Sequence, residues 1–313
     1  MEFVTFSLLN GVIYGLLLFM VSAGLTLIFG MMGVLNFAHA SFYMLGAYVG
    51  YTLTSAGFFW LGLIAAPVLV GLMGVLVERY LLRRVHKHGH AHELLLTFGL
   101  AFIIEEVVKL IYGDFPVNYQ MPNDLRFAAF QVFGTDYPFY RLFIGLVAIA
   151  MFVAVWLLLT RTRVGLVVRA AERMPRMAEA LGHNVPLVFM GVFGVGAALA
   201  GLAGGVAGAF FPTSPNMALE LGVIVFVVVV VGGLGSLEGS LLASLFIGLF
   251  SSFAVGLDWS LAGALSWVGL GDWARAIGGV MTITLSSVAG TVPFMLMLIV
   301  LLVRPAGLLG DRT

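Results

Sequence analysis

Lys87 and Lys109 are the only lysines in the 313 residues, and neither follows a glycine. A phosphate-binding P-loop needs a Gly-Lys pair, because the ammonium must reach the phosphates while backbone N–H groups cradle them. The chain therefore lacks that device for ATP. His92-Glu93 opens the helical zinc-protease pattern, but position 96 is leucine, so the second imidazole ligand is missing. The run His86-Lys87-His88-Gly89-His90-Ala91-His92 places imidazoles at every second residue, a spacing that gathers them on one side only in an extended strand. In a loop it reads as a solvated basic segment. Cysteine is absent, which removes thiolate nucleophiles, thiolate metal sites and disulfides together. Neither catalysis nor a bound metal or cofactor is expected.

The remaining candidates are polar groups set inside apolar sequence, where lipid makes them expensive and therefore informative. Asn36, His39 and Ser41 surround one glycine-containing break, and Glu238 stands at a second. These four are candidates for a translocation path. Asn36 and Ser41 have a structural alternative, satisfying backbone groups freed at the glycines. Glu105, Glu106 and Lys109 lie in one apolar run. Glu105 and Lys109 are four residues apart and so share a helix face, which suits an intramembrane charge pair.

The elements that must hold these groups follow from composition. Of all residues, 61% are hydrophobic and 10% charged, against roughly 25% charged in soluble domains. Only a bilayer stabilises such long uncharged runs, and only as helices, since lipid offers the backbone no hydrogen-bond partner. Runs near residues 7–29, 37–56, 58–82, 94–112, 139–160, 187–211, 217–234, 240–256 and 276–303 give nine crossings, with eight or ten allowed by the glycine-broken places. The expectation is an all-α polytopic membrane protein, one transmembrane domain over residues 1–313. The first run has no basic flank, so it is read as a retained span. Net charge is zero, which gives a nucleic-acid partner no electrostatic basis.

Lys and Arg remain in cytoplasmic loops. Arg79, Arg83, Arg84 and Lys87 mark one loop, Arg161, Arg163, Arg169, Arg173 and Arg176 a second, and Arg304 and Arg312 the carboxyl tail. All three share one side, so the amino terminus is expected outside and the carboxyl terminus inside. Arg126, Arg141 and Arg275 fall on the opposite side, with Asp114, Asp124, Asp136, Asp258 and Asp272. Two outer segments are long, residues 113–138 and 257–275, and the second carries Trp259, Trp267 and Trp273, which favour the headgroup level. A possible internal repeat pairs Gly33 through Ala38 with Gly235 through Ser240 and sets Gly46 opposite Gly248. In the sixth span Gly194, Gly201 and Gly208 recur at heptad spacing with Ala197 and Gly204 between them, a stripe that suits close helix contact.

The inner loop at residues 161–186 is the most informative polar stretch. Val164, Val167, Ala171, Met174, Ala178 and Leu181 recur every three or four residues, with Arg169, Glu172, Arg173, Arg176 and Glu179 between them. That is an amphipathic helical pattern. Pro175 suits a first turn and Gly182 the residue past an end, so a short helix over about 175–181 is expected.

Ala178-Glu179-Ala180-Leu181-Gly182, followed by Asn184 and a glycine-rich span, resembles the coupling-helix loop of ABC importer permeases. The stretch Phe29-Gly30, Gly33 through His39 and Phe42 through Tyr48 is similar to the LivH-type permeases of branched-chain amino acid importers. Gly232-Gly233-Leu234-Gly235-Ser236 with Gly239 resembles the late glycine motif of that family. The resemblance implies a multi-pass permease of the bacterial inner membrane. It also implies a second permease subunit, identical or homologous, two cytoplasmic ATPases and a periplasmic substrate-binding protein. Arg176 and Ala178 to Gly182 would contact an ATPase. The implied solute is a branched-chain amino acid, with urea, amides and other small acids as family alternatives. The competing reading is an ion-gradient-driven carrier using Glu105, Glu106, Lys109 and Glu238 as coupling charges.

Overall fold

The computed structural model describes residues 1–257, 259–267 and 269–310. Asp258 and Arg312, two of the orientation markers, lie outside the described residues. Helix α1 (Glu2–Met32) is followed by α2 (His39–Ser55) and α3 (Phe59–Val77). The latter continues through a π-helical turn (Glu78–Leu82), α4 (Arg83–Val85) and a 3-10 turn (His86–His88). Then come α5 (His90–Tyr112), a hairpin of β1 (Ala128–Val132) and β2 (Thr135–Pro138), and α6 (Phe139–Arg161). Helices α7 (Arg163–Arg173) and α8 (Pro175–Ala180) lie within residues 161–186, between α6 and the next long helix. The rest is α9 (Val185–Ala207), α10 (Met217–Gly232), α11 (Leu237–Gly256), the short α12 (Leu261–Ser266) and α13 (Gly271–Ile277), and α14 (Val292–Val303).

A helix stands at each of the nine expected spans. Among the described residues six stretches are long and apolar enough to cross a bilayer: α1, α3 with its continuation, α6, α9, α11 and residues 286–303. Helices α2 and α10 are shorter, with 17 and 16 residues, and α5 carries Glu105, Glu106 and Lys109. The last span departs from expectation. Gly278-Gly279 ends α13, and a 3-10 turn (Ser286–Thr291) precedes the twelve residues of α14, so residues 276–285 do not join a transmembrane helix. The antiparallel hairpin, with Val132 opposite Thr135, is a small departure from an all-helical chain, and it lies in the long segment between α5 and α6.

The apolar residues divide between an inner bundle and an outer belt. Helix α1 is the centre: Leu17, Leu18, Phe19, Met20 and Val21 are all buried. Ile64, Leu72, Leu95, Ile103, Leu110 and Leu298 are exposed around it, the outward apolar surface that lipid covers. Helix α9 is wedged beside α1, α2 and α3, and its small-residue stripe makes that possible. A methyl group at Gly204 would lie 1.9 Å from the Tyr43 carbonyl oxygen, and one at Gly201 would lie 2.8 Å from Val70 Cβ. Gly46 on α2 meets Gly201 equally closely, and Gly24 on α1 meets Gly196. Small residues replace absent hydrophobic driving force with van der Waals contact between backbones.

At the end of the bundle away from α7 and α8, Tyr119 of residues 113–138 and Tyr140 of α6 seal the last turn of α9. The final carbonyls of a helix have no internal partner. Tyr119 Oη donates to Gly205 O at 2.8 Å and Tyr140 Oη donates to Val206 O at 2.7 Å. Burial pushes the Tyr119 phenol up to about 12, so it stays a donor at any physiological pH. Trp259, Trp267 and Trp273 are exposed at this end.

Candidate functional site

The opposite end of the bundle gathers α7, α8, both helix breaks and the carboxyl-terminal segment. Thr162 caps α7 by accepting from Gly165 N at 3.1 Å, and Asn184 caps α9 by accepting from Leu187 N at 3.1 Å. Between them α8 starts with Pro175 in its first turn, where its missing N–H is no loss. It ends with a paired closure: His183 N donates to Ala178 O at 3.0 Å and Gly182 N donates to Glu179 O at 2.9 Å. That closure requires a left-handed residue, and Gly182 supplies it with φ of +89°. A single short helix, fixed at both ends, therefore stands where the sequence placed it.

Its buried face is not the expected one. Ala171 and Ala178 are buried in a cluster with Met31, Val168, Val185 and Val192. Val164, Met174 and Leu181, expected on the same stripe, are exposed. Met174 is extended (φ −141°, ψ 70°), so the helical phase restarts at Pro175. Met174, Met177 and Leu181 consequently form an apolar ridge, Leu181 at 75% exposure, flanked by exposed Arg173 and Arg176. Glu179, Ala180 and Gly182 are also exposed.

The first break folds back into the bundle. His39 Nε2 lies 2.8 Å from Val21 O, so α2 begins beside the middle of α1 and not beside its end. Ala38 N donates to Asn36 Oδ1 at 3.0 Å, a local turn that satisfies a backbone group the break exposes. Asn36, His39 and Ser41 are all buried. Asn36 Nδ2 and His39 Nδ1 have no hydrogen-bond partner. The adjoining cavity is about 30 Å³, room for roughly one water.

The second break touches the first. Gly235 has φ of +87°, and a methyl group on it would lie 2.8 Å from Gly30 Cα. Ser236 caps α11 by accepting from Gly239 N at 3.1 Å. Glu238, in the first turn of α11, is exposed and does not line the Asn36–His39 cavity. Its charge there favours the helix dipole. Leu308 N donates to Val231 O at 2.8 Å and Leu309 N to Gly232 O at 3.0 Å, so the tail supplies donors to the end of α10. A cavity of about 710 Å³ lies between the first break, α8 and the α3 continuation, with Glu78, Arg83, Glu93, Glu172 and Glu179 on its walls.

Charge pairs elsewhere are local. Lys109 Nζ donates to Glu105 Oε1 at 2.7 Å and Glu106 Oε1 at 2.9 Å, with Glu105 buried. The histidine run gathers its rings only in pairs, His88 and His92 lying 5.7 Å apart between ring centroids. His86 and His90 both turn to buried Glu93, His90 at 3.2 Å, and among the described residues no group of three metal-ligating side chains forms.

One cluster was not legible as a site. Arg141, at the start of α6, was read only as an orientation marker. Its guanidinium hydrogen-bonds Asn10 Oδ1 and lies 5.1 Å from the Phe210 ring and 5.6 Å from the Tyr137 ring. Arginine at the head of an apolar run, beside Tyr137 and Tyr140, was the available signal.

Residues 7–301 match the family described as branched-chain amino acid transport system / permease component. The high-affinity branched-chain amino acid transport system permease protein LivH of Salmonella typhimurium is 27% identical, covering 96% of this chain and 94% of that protein. The corresponding permease protein BraD of Pseudomonas aeruginosa is 25% identical over 97% of this chain and 94% of its own length. A solved structure, PsaBC from Streptococcus pneumoniae in complex with Fab, covers 95% of this chain and 91% of that chain at 11% identity, with a TM-score of 0.48. With a bundle of membrane-length helices and a family match over nearly its whole length, the chain belongs to the permease components of branched-chain amino acid transport systems.

Proposed function

We propose that this chain is one membrane-spanning subunit of an ATP-binding-cassette importer in a bacterial inner membrane, carrying a branched-chain amino acid. It is a transport component, not an enzyme. It pairs with a second permease, two cytoplasmic ATPases and a periplasmic binding protein, and its amino terminus faces outward. The observation that carries this reading is α8: six residues fixed by Pro175 and Gly182, with Met174, Met177 and Leu181 turned away from the bundle. Ala178 roots α8 in an apolar cluster shared by α7, α9 and Met31 of the central helix, so force from an ATPase groove would reach α1 through α7 and α9.

ATP-driven closure of the ATPases would push α8, move α1, and shift the contact between the two breaks at Gly30 and Gly235. Solute would pass between the two permeases near Asn36, His39, Ser41 and Glu238. In the present arrangement the Asn36–His39 cavity is closed to anything larger than water, which fits a resting gate.

An ion-driven carrier is less well supported. Its coupling charges would be Lys109, already paired with Glu105 and Glu106, and Glu238, which lies at the other end of the bundle. Reconstitution decides between them. ATP-dependent uptake of labelled leucine by the complete assembly is expected. Uptake by the purified chain alone on a proton or sodium gradient would refute the proposal.

A further inference from the structure

A second cavity, of about 520 Å³, lies at the end of the bundle opposite α8. It is bounded by the first half of α1, the start of α6, the link from α9 to α10, the end of α11 and the segment before α14. Its walls are mostly apolar, with Ile13, Leu17 and Phe211 among them, and three polar residues matter: Asn10, Arg141 and Ser251. Among the described residues, buried Arg141 Nε has no hydrogen-bond partner, and neither does Ser251 Oγ. Among the described residues no carboxylate forms an ion pair with Arg141.

A guanidinium in a mostly apolar cavity, held by Asn10 and two aromatic rings but by no anion, is incompletely compensated. Arginine presents a planar fork that matches a carboxylate. Asn10, on the same cavity wall, accepts through Oδ1 from Nη1 at one end of the fork, and the Phe210 and Tyr137 rings lie within 6 Å of the guanidinium. Serine oxygen accepts as well as donates, so Ser251 suits an ammonium group. Ile13, Leu17 and Phe211 suit an aliphatic side chain. Pockets of this size with few polar groups are typical of small-molecule sites.

We infer that this cavity is an outward subsite for a small aliphatic amino acid, whose carboxylate sits on Arg141 and whose ammonium faces Ser251. The inference rests on the transport reading and adds to it a place where solute is held before it reaches the breaks. Phe210 and Phe211 lie between α9 and α10, so an occupant would touch the link that leads, through α10, to Gly235.

Binding of radiolabelled leucine to the full chain in phosphatidylcholine nanodiscs, without ATPases, tests the subsite apart from transport. Saturable binding is expected. Leucinamide, which lacks the carboxylate, should compete at least about tenfold less well, a loss of roughly 1.4 kcal/mol. Arg141→Gln should weaken leucine binding about tenfold or more and erase the discrimination, while Arg141→Lys keeps part of both. Ser251→Ala should weaken binding with discrimination intact. Equal competition by leucine and leucinamide on the unsubstituted chain would overturn the inference, as would absence of saturable binding. Loss of leucine binding in phosphatidylglycerol nanodiscs would also overturn it, since the guanidinium would then be a lipid-phosphate site. Failure of ATP-driven uptake in the complete assembly would instead refute the transport reading, whatever this binding measurement gave.

Discussion

Thr26 Oγ1 and Ser240 Oγ lie 2.6 Å apart although 214 positions separate them in sequence. Both are buried, and the bond joins α1 to the start of α11 close to the contact of the two breaks. Thr26 Oγ1 donates to Ser22 O at 2.9 Å, so it accepts from Ser240 Oγ and the hydroxyl pair is tied to the α1 backbone. A hydrogen bond in this setting contributes about 1 kcal/mol. Thr26→Val and Ser240→Ala should each lower stability by about that amount, and the double variant by less than their sum. A double-mutant cycle in detergent unfolding measures it, and simple additivity would show that the pair does not couple.

The α9 stripe makes a sharper prediction. Gly204 packs on the Tyr43 carbonyl and Gly201 on α2 and α3 so closely that no side chain fits. Gly204→Val should cost about 3 kcal/mol or more, at the upper end of overpacking effects. Thermal unfolding of the purified variant checks this. Gly191→Ala, at a position with nothing within 4 Å, is the control and should be nearly neutral.

The Glu105–Lys109 pair predicts an asymmetry. Lys109→Met strands buried Glu105 beside Glu106, whereas Lys109→Met with Glu105→Gln removes the stranded charge. The single variant should therefore insert or unfold worse than the double. Membrane yield and melting temperature report it, and a double variant worse than the single would assign the carboxylate another role.

Truncation after Arg304 tests the tail. It removes the donors that Leu308 and Leu309 present to Val231 and Gly232. The end of α10 should then exchange its amide hydrogens faster, with a stability loss of about 1–3 kcal/mol. Unchanged exchange across residues 228–234 would mean the tail is passive.

The long apolar helices were legible because lipid demands contiguous apolar sequence, and α8 was legible because Pro175 and Gly182 punctuate it. Long-range partners were not. Periodicity placed Met174 and Leu181 with Ala178, but the extended Met174 resets the phase, and only folding shows the alanines inward and the longer side chains outward. Arg141 meets Asn10 across 131 positions and Phe210 from a different helix link, which no local spacing announces. The final span looked continuous by hydropathy, yet the 3-10 turn before α14 shortened it.

The chain contains no cysteine, so one introduced thiol reports its surroundings without background. Leu181→Cys, in the complete assembly, is the most direct test of the claim that α8 seats on an ATPase. A bifunctional thiol reagent is expected to join this position to an ATPase subunit bearing its own groove thiol. Trp267→Cys, at the far end, should give no such product. Labelling of Leu181→Cys by an impermeant reagent from the periplasm, or its failure to join any ATPase while uptake remains intact, would contradict the account.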